Sequence, residues 1–509
     1  MFEVANNSIL PWLVIVIPAA AALVEYLLGL FGNKKAGIAA CLGSAIAFGV
    51  AIKIAATVAA GLKLIAWGGQ LYVDGLGALM AVVVTTVGLA ASVFSYRYIR
   101  HDVHAGKTES KRLPLYFTLV SLFICSMVWG VLTNNIIMLY VVIEATTLAS
   151  ALLVTFYWHK EALEAGYKYL LLCSVGITFA LFGCVLLFAV AAQQVGGQQA
   201  MMITHLAGIA GKFPHGLALL TVTFLTVGFG TKAGLIPFHT WLPDAHSQSP
   251  SPVSALLSGV SIKVAAYALA RTLTIFYPQL GGVKLLIIIL GAVTMLLGII
   301  FAFAQDDLKR MLAFSSVSQM GYIIMGFGVG SYLGFFGSFY HILNHAILKG
   351  LLFLCTGALL YTNGTTFISG LRYKEGKNKL TTICFFVAAF AVGGLPPFSG
   401  FWSKFTIFLA LAQKGLWWAA AIAVFTSLLT LACLVRAGYM VFMEKEESHH
   451  DHHEEEDDEE VPGAPIPWSM SAMMAVLALA SLAMGLYPRL IYGLINAAVS
   501  SIVKVAMGG

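Results

Sequence analysis

The chain has 509 residues, 59% of them hydrophobic and only 10% charged, with a formal net charge of +6. Soluble domains carry about 25% charged residues, so this composition excludes a water-soluble enzyme and indicates a multi-pass membrane protein. The positive balance then reads as loop bias toward one side of a membrane, not as affinity for nucleic acid.

Taken in order, the chain is a ladder of apolar runs of about 20 residues, each long enough to cross a bilayer. The N-terminus lacks a basic region and a small-residue cleavage site, so the first run, Ile9 to Phe31, reads as a retained helix. Spans follow at Ala36–Val58, Leu71–Phe94 and Leu115–Leu132. After the Thr133-Asn134-Asn135 turn a fifth ends near Trp158, and the sixth covers Ala165–Ala192. The seventh, Gly216–Trp241, contains Pro237, which removes a backbone donor and breaks the helix. Further spans lie at Val253–Phe276, Val283–Phe303, Met311–Gly328 and Tyr332–Tyr361. The twelfth, Leu380–Ala412, is interrupted by Pro396 and Pro397; Trp417–Met443 and a run from Trp468 complete fourteen. The expected fold is therefore an all-α polytopic membrane protein.

Basic residues concentrate in the odd-numbered loops: Lys34, Lys35, Arg97, Arg100, Lys107, Lys111, Arg112, Lys160, Lys309, Arg310, Arg372, Lys374, Lys377 and Lys379. The positive-inside rule places those loops in the cytoplasm and both termini outside. The run EKEESHHDHHEEEDDEE, from Glu444 to Glu460, then forms a cytoplasmic loop. Its histidines, His449, His450, His452 and His453, lack the spacing of a defined metal site, and a solvated charge run is the simpler reading. The seven cysteines all fall within apolar runs and none forms a CxxC pair, which argues against an iron–sulfur cluster or structural zinc in this chain.

Ionisable residues inside the spans carry the functional argument. Each costs about 2.5–3.5 kcal/mol at a helix centre, so it must face the bundle interior, pair or meet water. Glu144 lies mid-way along the fifth span, Lys232 in the seventh, Lys263 in the eighth, and Lys404 in the twelfth. His341, His345 and Lys349 repeat every four residues and so share one helical face. Imidazole accepts on one nitrogen and donates from the other, so such a stripe can pass protons. His239, Asp244 and His246 beyond the first break, with Lys168 near the start of the sixth span, read as proton access or as interfacial residues: snorkelling explains Lys168 equally well, and loop carbonyls could hold the histidines. Haem ligation by the histidine pair lacks a second pair on another helix. No catalytic or metal site is expected.

Pro237 and Pro396–Pro397 stand five spans apart, as broken helices do in inverted-repeat transporters. The expected organisation is an N-terminal three-helix segment (1–113), a first repeat (114–276), a second repeat (277–443), the acidic loop (444–467) and a C-terminal helix (468–509).

The stretch GFGTKAGLIPFHTWLPDAHSQSPSPVSALLSGVSIK resembles the signature of the antiporter-like proton-translocating subunits shared by respiratory complex I, Mrp cation/proton antiporters and membrane-bound hydrogenases. The resemblance implies about fourteen helices with two inverted five-helix repeats and broken helices seven and twelve. It also implies a proton axis of Glu144, Lys232, Lys263 and Lys404, with His341, His345 and Lys349 connecting the half-channels and a Glu144–Lys232 ion pair that opens in the cycle. The run IEATTLASALLVTFYWHKEALEAGYKYLLLCSVGITFALFG is similar to hydrogenase-4 component F of formate hydrogenlyase-type complexes, while Lys404 departs from the glutamate usual there in the middle complex I subunit. No cofactor is then expected in this chain. Iron–sulfur clusters and a nickel–iron centre belong to partner subunits in a peripheral arm, beside other membrane subunits and lipids in a prokaryotic cytoplasmic membrane. An Mrp-type antiporter subunit (H⁺ or Na⁺) or a complex I pumping subunit is the alternative.

Overall fold

The computed structural model describes residues 5–31, 35–371, 379–444 and 465–507. Beyond Glu444 the acidic, histidine-rich run lies outside the described residues, as do Lys34, Arg372, Lys374 and Lys377. In chain order the elements are β1 (Ala5–Asn7), α1 (Leu10–Leu30), α2 (Ala36–Ala59), β2 (Lys63–Ala66), β3 (Leu71–Val73), α3 (Gly75–His104), α4 (Leu113–Leu132) and α5 (Ile136–Val154). They continue with α6 (Lys160–Val195), α7 (Gly197–Ala200), α8 (Ile203–Ile209), α9 (His215–Ala233), α10 (Trp241–Gln248), α11 (Ser251–Leu256) and α12 (Ile262–Leu273). The second half holds α13 (Gly281–Phe303), α14 (Leu308–Val329), α15 (Tyr332–Asn363), α16 (Lys379–Gly393), α17 (Ser399–Gln413), α18 (Trp417–Phe442), α19 (Trp468–Leu486) and α20 (Arg489–Met507).

Among the described residues, fourteen helices are long and apolar enough to cross a membrane. That set includes α20 but neither α16 nor α17, of 15 residues each. Counted as crossings, α16 and α17 form one broken span, and α20 is a helix beyond the fourteen. It buries Ile495, Ala498, Val499 and Ile502 along one stripe. Gly75 at the start of α3 lies so close to it that a Cβ there would sit 2.0 Å from the Ala497 carbonyl carbon. Tyr332 at the start of α15 donates to Asn496 Oδ1 at 2.7 Å.

Local chemistry sets the helix ends. Asp74, Asn135, Asp307 and Ser331 cap α3, α5, α14 and α15 by accepting from backbone amides in the first turn. Both expected breaks are present: α9 stops at Gly234 (φ +74°) before Pro237, and α16 at Gly394 (φ +85°) before Pro396 and Pro397. One feature of the eighth span was not visible in sequence, a π turn at Leu257–Ser261 just before Lys263. The third span also differs, since Leu71–Val73 is a strand paired antiparallel with β2 and α3 runs on to His104.

Asp74 does more than cap α3. Its carboxylate takes both Arg271 guanidinium nitrogens, at 2.7 and 2.5 Å, and the Gly77 amide at 2.9 Å. Burial pushes this carboxyl up, but the Arg271 charge and hydrogen bonds outweigh it and hold the group below its ordinary range. A depressed carboxylate contributes stability above its unfolded pKa, about 3.9, and loses it as pH falls through the lower folded value. Asp74→Asn retains a cap but strands Arg271, so it is expected to cost about 3–5 kcal/mol and to remove part of the acid-labile stability. Thermal unfolding of the detergent-solubilised protein between pH 3 and 7 measures both.

Candidate functional site

The expected axis residues lie in the middle of the bundle, on helices that meet from both halves. Lys232, Lys263, Lys349, His341, His345 and Lys404 are each no more than 2% exposed. Lys232 projects from the last turn of α9 and donates to Thr147 Oγ1 (2.9 Å, α5) and Tyr169 Oη (2.5 Å, α6). Its ammonium stands 4.8 Å from the Tyr169 ring centroid. The break below it is sealed by Trp241, whose indole donates at 2.9 Å to the Thr231 carbonyl, which also takes the Gly234 amide at 3.1 Å.

Glu144 is half-buried on α5 and accepts from Ser174 Oγ at 2.6 Å, while its Oε2 has no partner. The expected Glu144–Lys232 ion pair is not formed. Each group is instead held by hydroxyls, with Thr147 one turn along α5 from Glu144 and nearer to Lys232. Two charges on neighbouring helices do not pair when rigid side chains between them offer each a closer partner.

Lys263 follows the π turn and donates to the Ser258 carbonyl that this turn releases. Ser258 in turn shares a 2.7 Å hydrogen bond with Ser316 of α14. The α15 stripe is as the spacing predicts: the His341 and His345 rings are parallel, 5.7 Å apart, and Lys349 sits one turn on. His341 Nδ1 meets Ser403 Oγ at 3.0 Å, whereas its Nε2 and both His345 nitrogens have no protein partner. Lys349 donates to the Leu312 carbonyl at 3.0 Å and to Ser315 Oγ. Lys404, on α17 after the second break, donates to the Val392 carbonyl (2.7 Å) and Ser427 Oγ (3.1 Å), 4.6 Å from the Tyr322 ring centroid.

No carboxylate lies within ion-pair distance of these four lysines among the described residues. Their partners are hydroxyls and carbonyls. A hydroxyl can donate to a neutral amine or accept from an ammonium, so Thr147, Tyr169, Ser315 and Ser427 suit both protonation states. Unpartnered imidazole nitrogens between Lys263 and Lys404 complete a series of groups that bind and release protons without covalent chemistry.

The access residues divide. His246 is fully buried with both ring nitrogens unpartnered, stacked on Phe353 at 4.7 Å. His239 is half-buried and stacked on Phe301 at 6.0 Å. Asp244 is at the surface, bound to Arg310 (2.8 Å) and Lys168 (3.7 Å). Lys168 is 49% exposed and paired with Glu164 at 2.6 Å, so it sits outside the axis.

Sequence reasoning passed over one intramembrane carboxylate. Glu25 of α1 is fully buried and accepts from Ser121 Oγ at 2.8 Å, with Oε2 unpartnered. Its signal in the sequence is a lone Glu in an apolar run, five residues before the end of α1.

Residues 133–430 match the family described as NADH:quinone oxidoreductase/Mrp antiporter, transmembrane, and residues 67–107 match the N-terminus of complex I chain 5. The chain is 32% identical over 360 residues to a hydrogenase-4 component F homolog of Methylacidiphilum infernorum, covering 70% of this chain and 76% of that protein. It is 35% identical over 367 residues to NADH-quinone oxidoreductase subunit N of Desulforudis audaxviator, covering 72% and 71%. Among solved structures, a chain of the membrane-bound sulfane sulfur reductase, an archaeal respiratory membrane complex, superposes with a TM-score of 0.87 at 25% identity, covering 98% of this chain and 99% of that one.

Proposed function

The chain belongs to the NADH:quinone oxidoreductase/Mrp antiporter transmembrane family, and from that membership we propose that it is the proton-translocating membrane subunit of a redox-driven respiratory complex of the group 4 nickel–iron hydrogenase, formate hydrogenlyase type. The observation that carries the transport reading is the buried series Lys232, Lys263, His345, His341 and Lys404, whose lysines are held by neutral oxygens. Protons pass between these groups toward Lys404, with Lys349 joining the series on the same α15 face. Glu144, at the edge of the bundle, answers to charge movement in a neighbouring subunit, and redox chemistry stays in the partners. The hydrogenase assignment rests on the resemblance to component F, and likeness to a respiratory complex supports a redox partner.

The alternative is an Mrp-type cation/proton antiporter, favoured by the family's breadth, which includes such antiporters. The two separate on composition. Purification of the native complex through a tag on this chain, followed by mass spectrometry, is expected to recover a nickel–iron hydrogenase large subunit with iron–sulfur proteins. Recovery of small antiporter-type membrane subunits alone overturns the hydrogenase reading and moves the work to ion-flux assays.

A further inference from the structure

An axis of buried groups needs a route from water, and of the residues expected to give access His246 lies inside while Asp244 and Lys168 are engaged in ion pairs. Asp244 is neutralised by Arg310 and Lys168. A different group of polar side chains leads inward from the end of α3, on the face that the basic loops assign to the cytoplasm. There Asp102 is 2% exposed, beneath Lys107 (3.4 Å) and His101 (3.9 Å), which are 38% and 29% exposed. Tyr157, in the turn between α5 and α6, donates to Asp102 Oδ2 at 2.5 Å.

One turn deeper on α3, Tyr98 is buried, and its hydroxyl adjoins the Tyr157 and Ser251 hydroxyls without closing a hydrogen bond of ordinary geometry to either. Ser251, at the start of α11, is fully buried and equally unpartnered. Buried hydroxyls left without well-formed partners cost about 1–3 kcal/mol each.

The α15 helix shows where this line leads. A Cβ at Gly357 would stand 2.7 Å from Ser251 Cβ, so the serine packs directly on that position. Phe353, four residues back, carries the stacked His246 ring. Lys349 is four residues further, then His345 and His341. Steps of four residues share one helix face and rise about 6 Å each. Ser251, His246 and Lys349 therefore succeed one another at single-turn intervals along the stripe. Lys309, 3% exposed, holds the intervening loop by donating to the Ser247 and Ser249 carbonyls at 2.9 and 2.5 Å.

We propose that Asp102, Tyr157, Tyr98 and Ser251 form the cytoplasmic inlet that delivers protons to His246 and Lys349. The inlet rests on the proton-transport reading of the axis. A proton from bulk water adds to the Asp102 carboxylate, and rotation of the carboxyl turns the new O–H toward Tyr157 Oη. Tyr157 passes its own proton to Tyr98, Tyr98 to Ser251, and Ser251 to a His246 ring nitrogen through a bridging water. His246 then protonates the Lys349 amine. One proton is taken up at the carboxylate and one arrives at the amine, and rotation of the O–H bonds resets the hydroxyls.

Tyr98→Phe is the decisive variant, because it deletes only the hydroxyl and keeps the buried ring that fills the site, and so should leave assembly intact. In inverted membrane vesicles energised with the electron donor of the isolated complex, proton uptake is read with a pH-responsive dye. Tyr98→Phe and Asp102→Asn are each expected to lower the uptake rate at least tenfold at unchanged complex content. Wild-type uptake in Tyr98→Phe, with uptake abolished in Lys232→Ala, overturns the inlet and leaves the axis standing. Wild-type uptake in all three variants overturns both.

Discussion

Lys263→Arg is expected to abolish proton transport as completely as Lys263→Met, although it preserves the positive charge. Lys263 occupies the join between the two halves of the bundle. It is fully buried, held by the Ser258 carbonyl, and within electrostatic reach of Lys349, His345 and His341. If its role were to place a fixed charge, arginine would serve. If its role is to take up and release a proton, arginine fails, because guanidinium does not deprotonate in proteins. Methionine removes both functions at similar length. Neither change strands an opposite charge, since no carboxylate among the described residues pairs with Lys263, so the large penalty of a broken buried ion pair does not apply. Proton uptake per electron should fall at least tenfold in both variants, about 1.4 kcal/mol or more of barrier. Wild-type uptake in Lys263→Arg with loss in Lys263→Met would mark Lys263 as a fixed electrostatic element and route the proton elsewhere.

What was legible in the sequence follows from how strongly each feature violates its surroundings. Lys232, Lys263, Lys349 and Lys404 stand out because lysine in an apolar run demands an explanation, and the structure brings all four inside. The α15 stripe was readable because helical periodicity alone places residues four apart on one face. The breaks were readable because proline removes an amide wherever it stands.

Pairings across the bundle were not readable. Asp102 and Tyr157 are 55 positions apart and look like ordinary residues near helix ends, and only the packing of α3 beside the α5–α6 turn joins them. The Glu144–Lys232 pair was expected from the family resemblance, which does not show the hydroxyls of Thr147 and Tyr169 that the fold interposes. Lys168 carried two readings until geometry gave it Glu164 and Asp244 at the surface. The π turn before Lys263 and the strands near the N-terminus escaped because neither leaves a periodic signal over so few residues. Helix α20 escaped for another reason: a mixed polar and apolar segment after a clear span looks like a tail.

The lysine partners on α14 depend on how closely that helix approaches α13, and here a single methyl-bearing substitution should be severe. Gly291 of α13 meets Gly321 of α14, while Gly298 of α13 packs on the Ser318 backbone and Gly328 of α14 on Ile288 and the Lys284 carbonyl. A Cβ at Gly321 would lie 2.5 Å from the Gly291 carbonyl oxygen and 2.6 Å from the Met295 amide nitrogen, both backbone atoms that no rotamer can move. Small residues are what allow helix backbones to approach in a bilayer, where burial between helices brings no hydrophobic gain. Gly321→Val therefore forces the helices apart, and overpacking of this kind costs about 1–3 kcal/mol or more. The displacement also reaches the site. Leu312 and Ser315 hold Lys349, Ser316 holds Ser258 beside Lys263, and Tyr322 underlies Lys404, all on α14. Gly321→Val should thus lower the thermal midpoint of the detergent-solubilised complex by several degrees and reduce proton uptake together with it. Gly49→Val on α2, where a Cβ meets nothing within 4 Å, is the control and should change neither. An unchanged midpoint in Gly321→Val would mean that α13 and α14 tolerate separation. The α14 hydroxyls and carbonyls would then be adjustable ligands of the lysines rather than the fixed frame against which protons move.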